Sequence, residues 1–544
     1  MFKNLTILMF FVFGFTVSAF SAGVEIKNNT KGTKEIAPDL KTAMQIVKSG
    51  KFGSDDLDLI VTVGGGGGAT YASLTDIGGL FHAINSGLVT EDVIAVVIAN
   101  TVETGAISLL QFAHPYKLFI VPGAASVLTL EATTLGSNAP MMVLDGADNV
   151  IIDGRFGGAG RYLRFVNNNA TPSATGPILR FINDARANGI GHCILESNAS
   201  NNASPMIQFS NTTGPLGNDS IAVDSCLFQA STGTNPGSYG VAIGSTGAET
   251  VLNEKNSAIA IIQNNITGWL PSSNGAILFN STCMGDSIVI DSNRIYNDVS
   301  QTTTWIGIGI TSNTNNSTIN FNSIGGSNPD RSGNALRSIA GITMSAISMR
   351  SDSLVKSDIQ GNRISNFANT APASVTLGVV NGIVTTGGDV NIGTLSPNII
   401  GGGANPWDTV CTAYDNGWIF VSSTTTNDSV YIWNNTVSHA NYWRKRNDRN
   451  NGIRIAGSSG RLISIRNNLI TNMKGNGIGN STSFQLMGIA FANSGGTASI
   501  PLVLNIYENT IHNLVHNTDT ASSHEIFGII QSSGSAFLTS NIYN

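Results

Sequence analysis

The chain has 544 residues, of which 11% are charged and 41% hydrophobic, with a formal net charge of −6. That hydrophobic content excludes a disordered chain, which combines high charge with few apolar residues. So mild a net charge gives no general attraction to nucleic acid or to an anionic membrane.

Residues 1–21 read as a secretory signal peptide. Lys3 supplies the positive start, Leu5 to Val17 is an apolar core with Phe10, Phe11, Phe13 and Phe15, and small residues offer cleavage after Ala19 or Ser21. The alternative, an uncleaved anchor, is disfavoured by the shortness of the apolar run. No later run approaches a span, so a secreted or cell-surface protein with no membrane span after cleavage is expected.

Residues 22–60 form a polar lead-in, with a short helix expected from Asp39 to Lys48 after Pro38. Residues 61–92 follow a strand over Leu59–Val63 with the glycine run Gly64–Gly68 and a capping helix. Ser73 opens that helix, Asp76 sits in its first turn, and Leu74, Ile77, Phe81 and Ile84 share one face. Gly78 and Gly79 weaken it by about 1 kcal/mol each relative to alanine, and Gly87 is its stop. The glycine run lacks a Gly-Lys-Ser/Thr ending and does not lead straight into the helix. It reads as a flexible loop at a domain edge rather than a phosphate loop.

From Val93 to residue 544, short β-rich runs take over, separated by glycine, proline and asparagine. The register of the early strands is ambiguous. From about residue 220 a repeat is clear in SIVIDSNRIYN, STINFNSIGG, SVYIWNNTVSHA, LISIRNNLITNM and LVLNIYENTIHNL. Alternating apolar residues lead to a bend asparagine, then to a second apolar strand. The bend positions are Asn264, Asn293, Asn322, Asn362, Asn398, Asn435, Asn468, Asn509 and Asn541, at intervals of 29 to 41 residues, and Cys226 holds the place one unit earlier. A second marker, glycine plus an apolar strand, falls once in each interval at Gly275, Gly307, Gly341, Gly382, Gly417, Gly452, Gly488 and Gly528. Each unit therefore has at least two strands and a bend.

A strand that cannot pair within its own unit pairs with its equivalent one turn later, which stacks like positions about 4.8 Å apart. Stacked asparagines satisfy one another's amides, and asparagine tolerates the left-handed backbone of a sharp bend. Propeller blades and leucine-rich repeats need patterns that are absent.

The glycine–apolar strand followed by I-x-I-x-x-N-x-I resembles the right-handed parallel β-helix repeat of the pectin-lyase-like superfamily. NVIIDG at Asn149–Gly154 is similar to a phrase common in that group. The resemblance covers roughly residues 60 to 544. It implies an all-β, single-stranded right-handed parallel β-helix over residues 93–544 with an N-terminal capping helix, of about a dozen coils and near 50–60 Å long. Because the chain stops inside the motif, at LTSNIYN, it is expected to continue beyond residue 544.

The superfamily includes lyases, hydrolases, adhesins and structural spikes, so the resemblance leaves activity open. Polygalacturonase-like hydrolases carry an Asp-Asp step, a Gly-His-Gly and an Arg-Ile-Lys, since glycosidic cleavage needs two carboxylates flanking the scissile oxygen. This chain departs from that pattern, with Gly191-His192-Cys193 and Arg454-Ile455-Ala456, and Asp55-Asp56 outside the coils. Lyases of this group use clustered carboxylates for calcium and an arginine base. Asp145, Asp148, Asp153 and Arg155 are the one dense acidic–arginine group on the coils, the candidate catalytic set, with calcium possible as cofactor if the protein is a lyase. The competing reading is a turn-rich surface loop.

The other candidate is a glycan-binding surface between residues 405 and 454. It comprises Trp418, Tyr431, Trp433, Trp443, Arg444 and Arg446, because outward rings beside cations suit sugar stacking. Alternation in SVYIWNN turns Tyr431 and Trp433 outward. The position two before each bend reads Asp291, Asn320, Gln360, Trp433, Arg466 and Tyr507. Burial under long connections is the alternative. Four cysteines are too few for a disulfide scaffold. Cys193 and Cys226, on adjacent coils, are either bonded or buried thiols, and Cys283 and Cys411 have no evident partner.

Two functions follow as expectations. The first is an exported non-catalytic β-helix scaffold for surface adhesion or glycan binding, with a polysaccharide as partner. The second is a polysaccharide lyase or glycoside hydrolase acting on an acidic polysaccharide.

Overall fold

Alternating apolar residues and bend asparagines place three strands in each turn of the chain, the one before the bend, the one after it and the glycine-marked one, in keeping with the expected minimum of two. The computed structural model describes Ser18–Phe20, Gly23–Asn28, Thr33–Ala37 and residues 59–543. Within that last span it leaves out 90, 113–115, 170, 172–174, 199–203, 213, 233–239, 250, 353–354, 370–378, 402–406, 410–415, 423–427, 443–448, 457–461, 476–482, 493–501, 517–522 and 532–537. The helix expected over Asp39–Lys48 lies outside the described residues.

The coils form a right-handed parallel β-helix with three sheets. A 13-stranded first sheet runs from Leu109–Leu110 to Ser523–Gln531 and contains the glycine–apolar strands. The exception is Gly341, which precedes its strand Met344–Ser351, where Ala346 stands opposite Gly307. A 15-stranded second sheet runs from Leu59–Val63 to Leu538–Tyr543 and carries the residues before each bend. The third, also 15-stranded, begins at Thr101–Val102 and carries the short strands after each bend. Fifteen strands at about 4.8 Å give a rod of about 70 Å, longer than the expected dozen coils.

Each sheet contributes one column of branched side chains to a shared core. In the second sheet Ile290, Ile319, Ile359, Ile392, Ile432, Ile465 and Ile506 are in register on consecutive coils. The first sheet supplies Ile277, Ile308, Ile347, Ile383, Ile419, Ile453 and Ile489. The third supplies Ile295, Ile324, Ile364, Ile400, Val437 and Ile470. All are buried, and each full burial is worth about 1.5–3 kcal/mol.

The bend asparagines form a continuous ladder along the second-to-third corner. In Asn264, Asn293, Asn322, Asn362, Asn398, Asn435 and Asn468 the backbone N–H and Nδ2 both donate to the Oδ1 one coil on, ending on Asn509. Cys226 starts the ladder, as expected, with its N–H on Asn264 Oδ1 at 2.9 Å. Two expectations need correction. Asn541 lies instead within a strand of the second sheet, where it pairs with Asn505. The left-handed residue is the one before the asparagine, at Ser225, Gln263, Ser292, Phe321, Gly361, Asn434, Asn467 and Glu508. The asparagine is there for its amide, and the residue before it makes the turn.

The N-terminal helix is shorter than expected, spanning Leu80–Asn85. Gly78 takes φ +84° and Gly79 becomes the N-cap, so Ser73 to Asp76 form a separate turn and Ile77 is exposed. The buried Glu103 fixes that turn, accepting from the N–H of Leu74 and Thr75 and from the hydroxyls of Thr75 and Thr101. Gly87, at φ +69°, ends the helix as read. Ahead of the coils, Ser18–Phe20, Gly23–Asn28 and Thr33–Ala37 pair antiparallel, across both candidate cleavage positions. Among the described residues no helix is long and apolar enough to cross a membrane.

Candidate functional site

The residue two before each bend asparagine points away from the core, because the isoleucine next to it points in. On successive coils of the second sheet this column reads Trp433, Arg466, Tyr507 and Tyr543. The sequence alignment of that position is the stacked register, with Gly393 filling the coil between Gln360 and Trp433.

These side chains contact one another along the rod. The Arg466 guanidinium lies 5.9 Å from the Trp433 ring centre and 5.3 Å from that of Tyr507. Tyr507 stacks on Tyr543 with centroids 5.4 Å apart and planes at 19°. Tyr431 meets Trp433 edge-on, with centroids also 5.4 Å apart. Lys356 Nζ stands 4.1 Å over the Tyr431 ring. The Trp433 indole N–H donates to Ser464 Oγ at 3.0 Å, which fixes the ring. Glu508 pairs with Arg466 at 2.9 Å and holds its guanidinium above the usual arginine value. The result is a strip of π faces with two cations, on a rigid sheet, where hydroxylated rings can stack.

Lys356 and Glu508 were not legible as part of this strip. Lys356 precedes its own strand and reaches Tyr431 across two coils. Its signal is the register, which the sequence shows only once the strands are stacked. Trp418 does not belong to the strip. It is 2% exposed and packed in the core, in the first-sheet column where other coils carry Gly382, Gly452 and Gly488. That column is pressed by isoleucines of the third sheet. A Cβ on Gly452 would stand 2.7 Å from Ile470 Cγ2. Trp443, Arg444 and Arg446 lie outside the described residues.

The four acidic–arginine candidates divide into two places. Asp145 and Asp148 lie before the strand Val150–Asp153, with the left-handed Asn149 between Asp148 and the strand, while Asp153 and Arg155 lie at its far end. Asp145 accepts from Asn183 Nδ2 at 2.6 Å. Asp148 accepts the Arg186 N–H at 2.7 Å, and burial pushes its carboxyl up. At the other end Arg155 grips Asp153 with Nε and Nη2, at 2.7 Å for the shorter contact. His192 Nδ1 is 3.9 Å from Asp153 Oδ1, and burial with the nearby Arg155 pushes its imidazole down. Asp224 lies two coils on in the same column.

Among the described residues no group of three or more His, Cys, Asp or Glu could hold a metal ion. Cys193, Cys226 and Cys283 are free, buried thiols, so the pair on adjacent coils packs as apolar side chains. No known protein family matches this chain, and no curated protein matches it.

Proposed function

We propose that this protein is an exported, non-catalytic β-helix of the pectin-lyase-like kind that binds a glycan along the Trp433–Arg466–Tyr507–Tyr543 strip. The observation that supports it is the alignment of three aromatic rings and a guanidinium on consecutive coils, facing outward in one column. Export rests on the N-terminal apolar segment, and N-terminal sequencing of secreted protein tests it: a start at Phe20 or Ala22 is expected. Glycan binding is tested by titrating neutral and acidic polysaccharides into the chain and into Trp433→Ala. The variant should bind about tenfold more weakly, equivalent to about 1.4 kcal/mol, with its far-UV spectrum unchanged. Equal affinity in the two proteins would sink the proposal.

The second reading, a polysaccharide lyase or glycoside hydrolase, draws on the convergence of Asp153, Arg155 and His192. A lyase of this group would require calcium, and Asp153, already gripped by Arg155, with Asp224 falls short of a three-ligand group among the described residues. Release of unsaturated or reducing products, measured with and without calcium and abolished in Asp153→Asn, would replace the binding reading.

A further inference from the structure

Three coils before Trp433, about 14 Å along the axis, a second feature opens at the bend between the second and third sheets. A cleft of about 770 Å³ is lined by Arg294, Phe321, Ser323, Asp330, Arg331 and Arg363. Arg294, Ser323 and Arg363 are in register on consecutive coils of the third sheet, all facing outward. Arg331 enters from the connecting loop and fills the middle coil, donating to Ser323 Oγ and, at 3.1 Å, to Ser365 Oγ. Three guanidiniums thus follow one another along the axis at about one coil each. Among the described residues neither the Arg294 nor the Arg363 guanidinium has a hydrogen-bond or ion-pair partner. Asp330, the one carboxylate on the lining, is turned to the N–H and hydroxyl of Ser332. Burial, and after it the neighbouring Arg363, push the Arg331 guanidinium down, with Asp330 opposing them.

The loop is built to hold this arrangement. Asn366 Nδ2, on the following coil, donates to the carbonyls of Arg331 and Gly333 at 3.2 and 3.0 Å. Phe321 forms the other wall. It occupies the left-handed bend position at φ +53°, where other coils place Ser225, Ser292 or Asn434, and it is 53% exposed. A bulky residue there is strained and loses apolar burial, and its ring covers Gly361, whose added Cβ would meet it at 2.4 Å.

We infer that this cleft is a subsite for an anionic sugar unit, its carboxylate or sulfate taken by the arginines and its ring laid against Phe321. The inference rests on the reading of the protein as a glycan binder and adds an acidic ligand to it. The test titrates three oligosaccharides of equal length, one uronate-bearing, one sulfated and one neutral, into the chain, Arg294→Ala/Arg363→Ala, Phe321→Ser and Trp433→Ala. At least one acidic oligosaccharide should bind more tightly than the neutral one, and which one it is separates carboxylate from sulfate. The double variant should lose about tenfold of that affinity and none for the neutral sugar. Phe321→Ser should bind the acidic sugar more weakly yet melt no lower than the native chain, since serine already holds this backbone at Ser225 and Ser292. The inference is overturned if the acidic sugars bind no better than the neutral one, or if the double variant binds them like the native chain. If Trp433→Ala then still loses the neutral sugar, the cleft alone fails and the broader reading stands. If no sugar binds, both fall.

Discussion

Asn435 donates both its backbone N–H and its Nδ2 to the Oδ1 of Asn468, at 2.9 and 3.0 Å, and both side chains are buried. Its Nδ2 also reaches the carbonyl of Ile392, one coil back. One amide therefore joins three coils. Replacing it removes the Oδ1 that accepts from the backbone N–H and one Nδ2 hydrogen of Asn398 in a buried site, while the other Nδ2 hydrogen keeps the Ile359 carbonyl. Asn435→Ala should cost about 2–5 kcal/mol, several buried bonds at about 1–3 kcal/mol each. Urea unfolding monitored by circular dichroism measures it. A loss below about 1 kcal/mol would mean that the ladder is decorative.

Where the ladder begins, sulfur does the work of an amide. Cys226 Sγ lies 3.7 Å from the Ile190 carbonyl, the place that Nδ2 of each asparagine takes one coil back. A thiol is a weak donor. Cys226→Asn should extend the ladder by a step and stabilise the chain by about 1 kcal/mol. A lower melting temperature in this variant would show that the pocket around Cys226 is too tight for an amide.

Burial pushes the Glu103 carboxyl above its ordinary 4.5, against the pull of the Thr75, Thr101 and Leu74 donors. The folded chain thus holds this proton more tightly than the unfolded one. The contribution of Glu103 to stability is therefore greatest below pH 4.5 and falls as pH rises through the raised value. The stability difference between the native chain and Glu103→Gln should be more favourable to the native chain at pH 4 than at pH 7. Urea midpoints of both proteins at the two values test it. A difference that is constant, or larger at pH 7, would contradict this account.

The β-helix was legible in the sequence because its cause is periodic. Ile432, Asn435 and Val437 recur with their spacing intact, and the pairing register follows from stacking them. The strand after the bend was legible even where it is as short as Arg294–Ile295, but that it, the strand before the bend and the glycine-marked strand build three separate sheets shows only in the stacked register. The helix boundary was misplaced because Gly78, which reads as a mild penalty inside a helix, takes a left-handed conformation that ends one. Tyr431 and Trp433 were legible by alternation alone. Trp418 was not, since its burial depends on which column of the first sheet it enters. The Arg294–Arg331–Arg363 cleft could not be read at all: its arginines lie up to 69 residues apart, and only register brings them together.

The ladder bonds all run one way. Every Oδ1 accepts from the coil before it, and none from the coil after it. A coil emerging during synthesis is thus left with two unanswered donors until its successor arrives to supply the acceptor. If the chain folds in that direction, the ladder predicts that completion of each coil lags its emergence by one. The chain is built like a zip whose slider is always the newest asparagine.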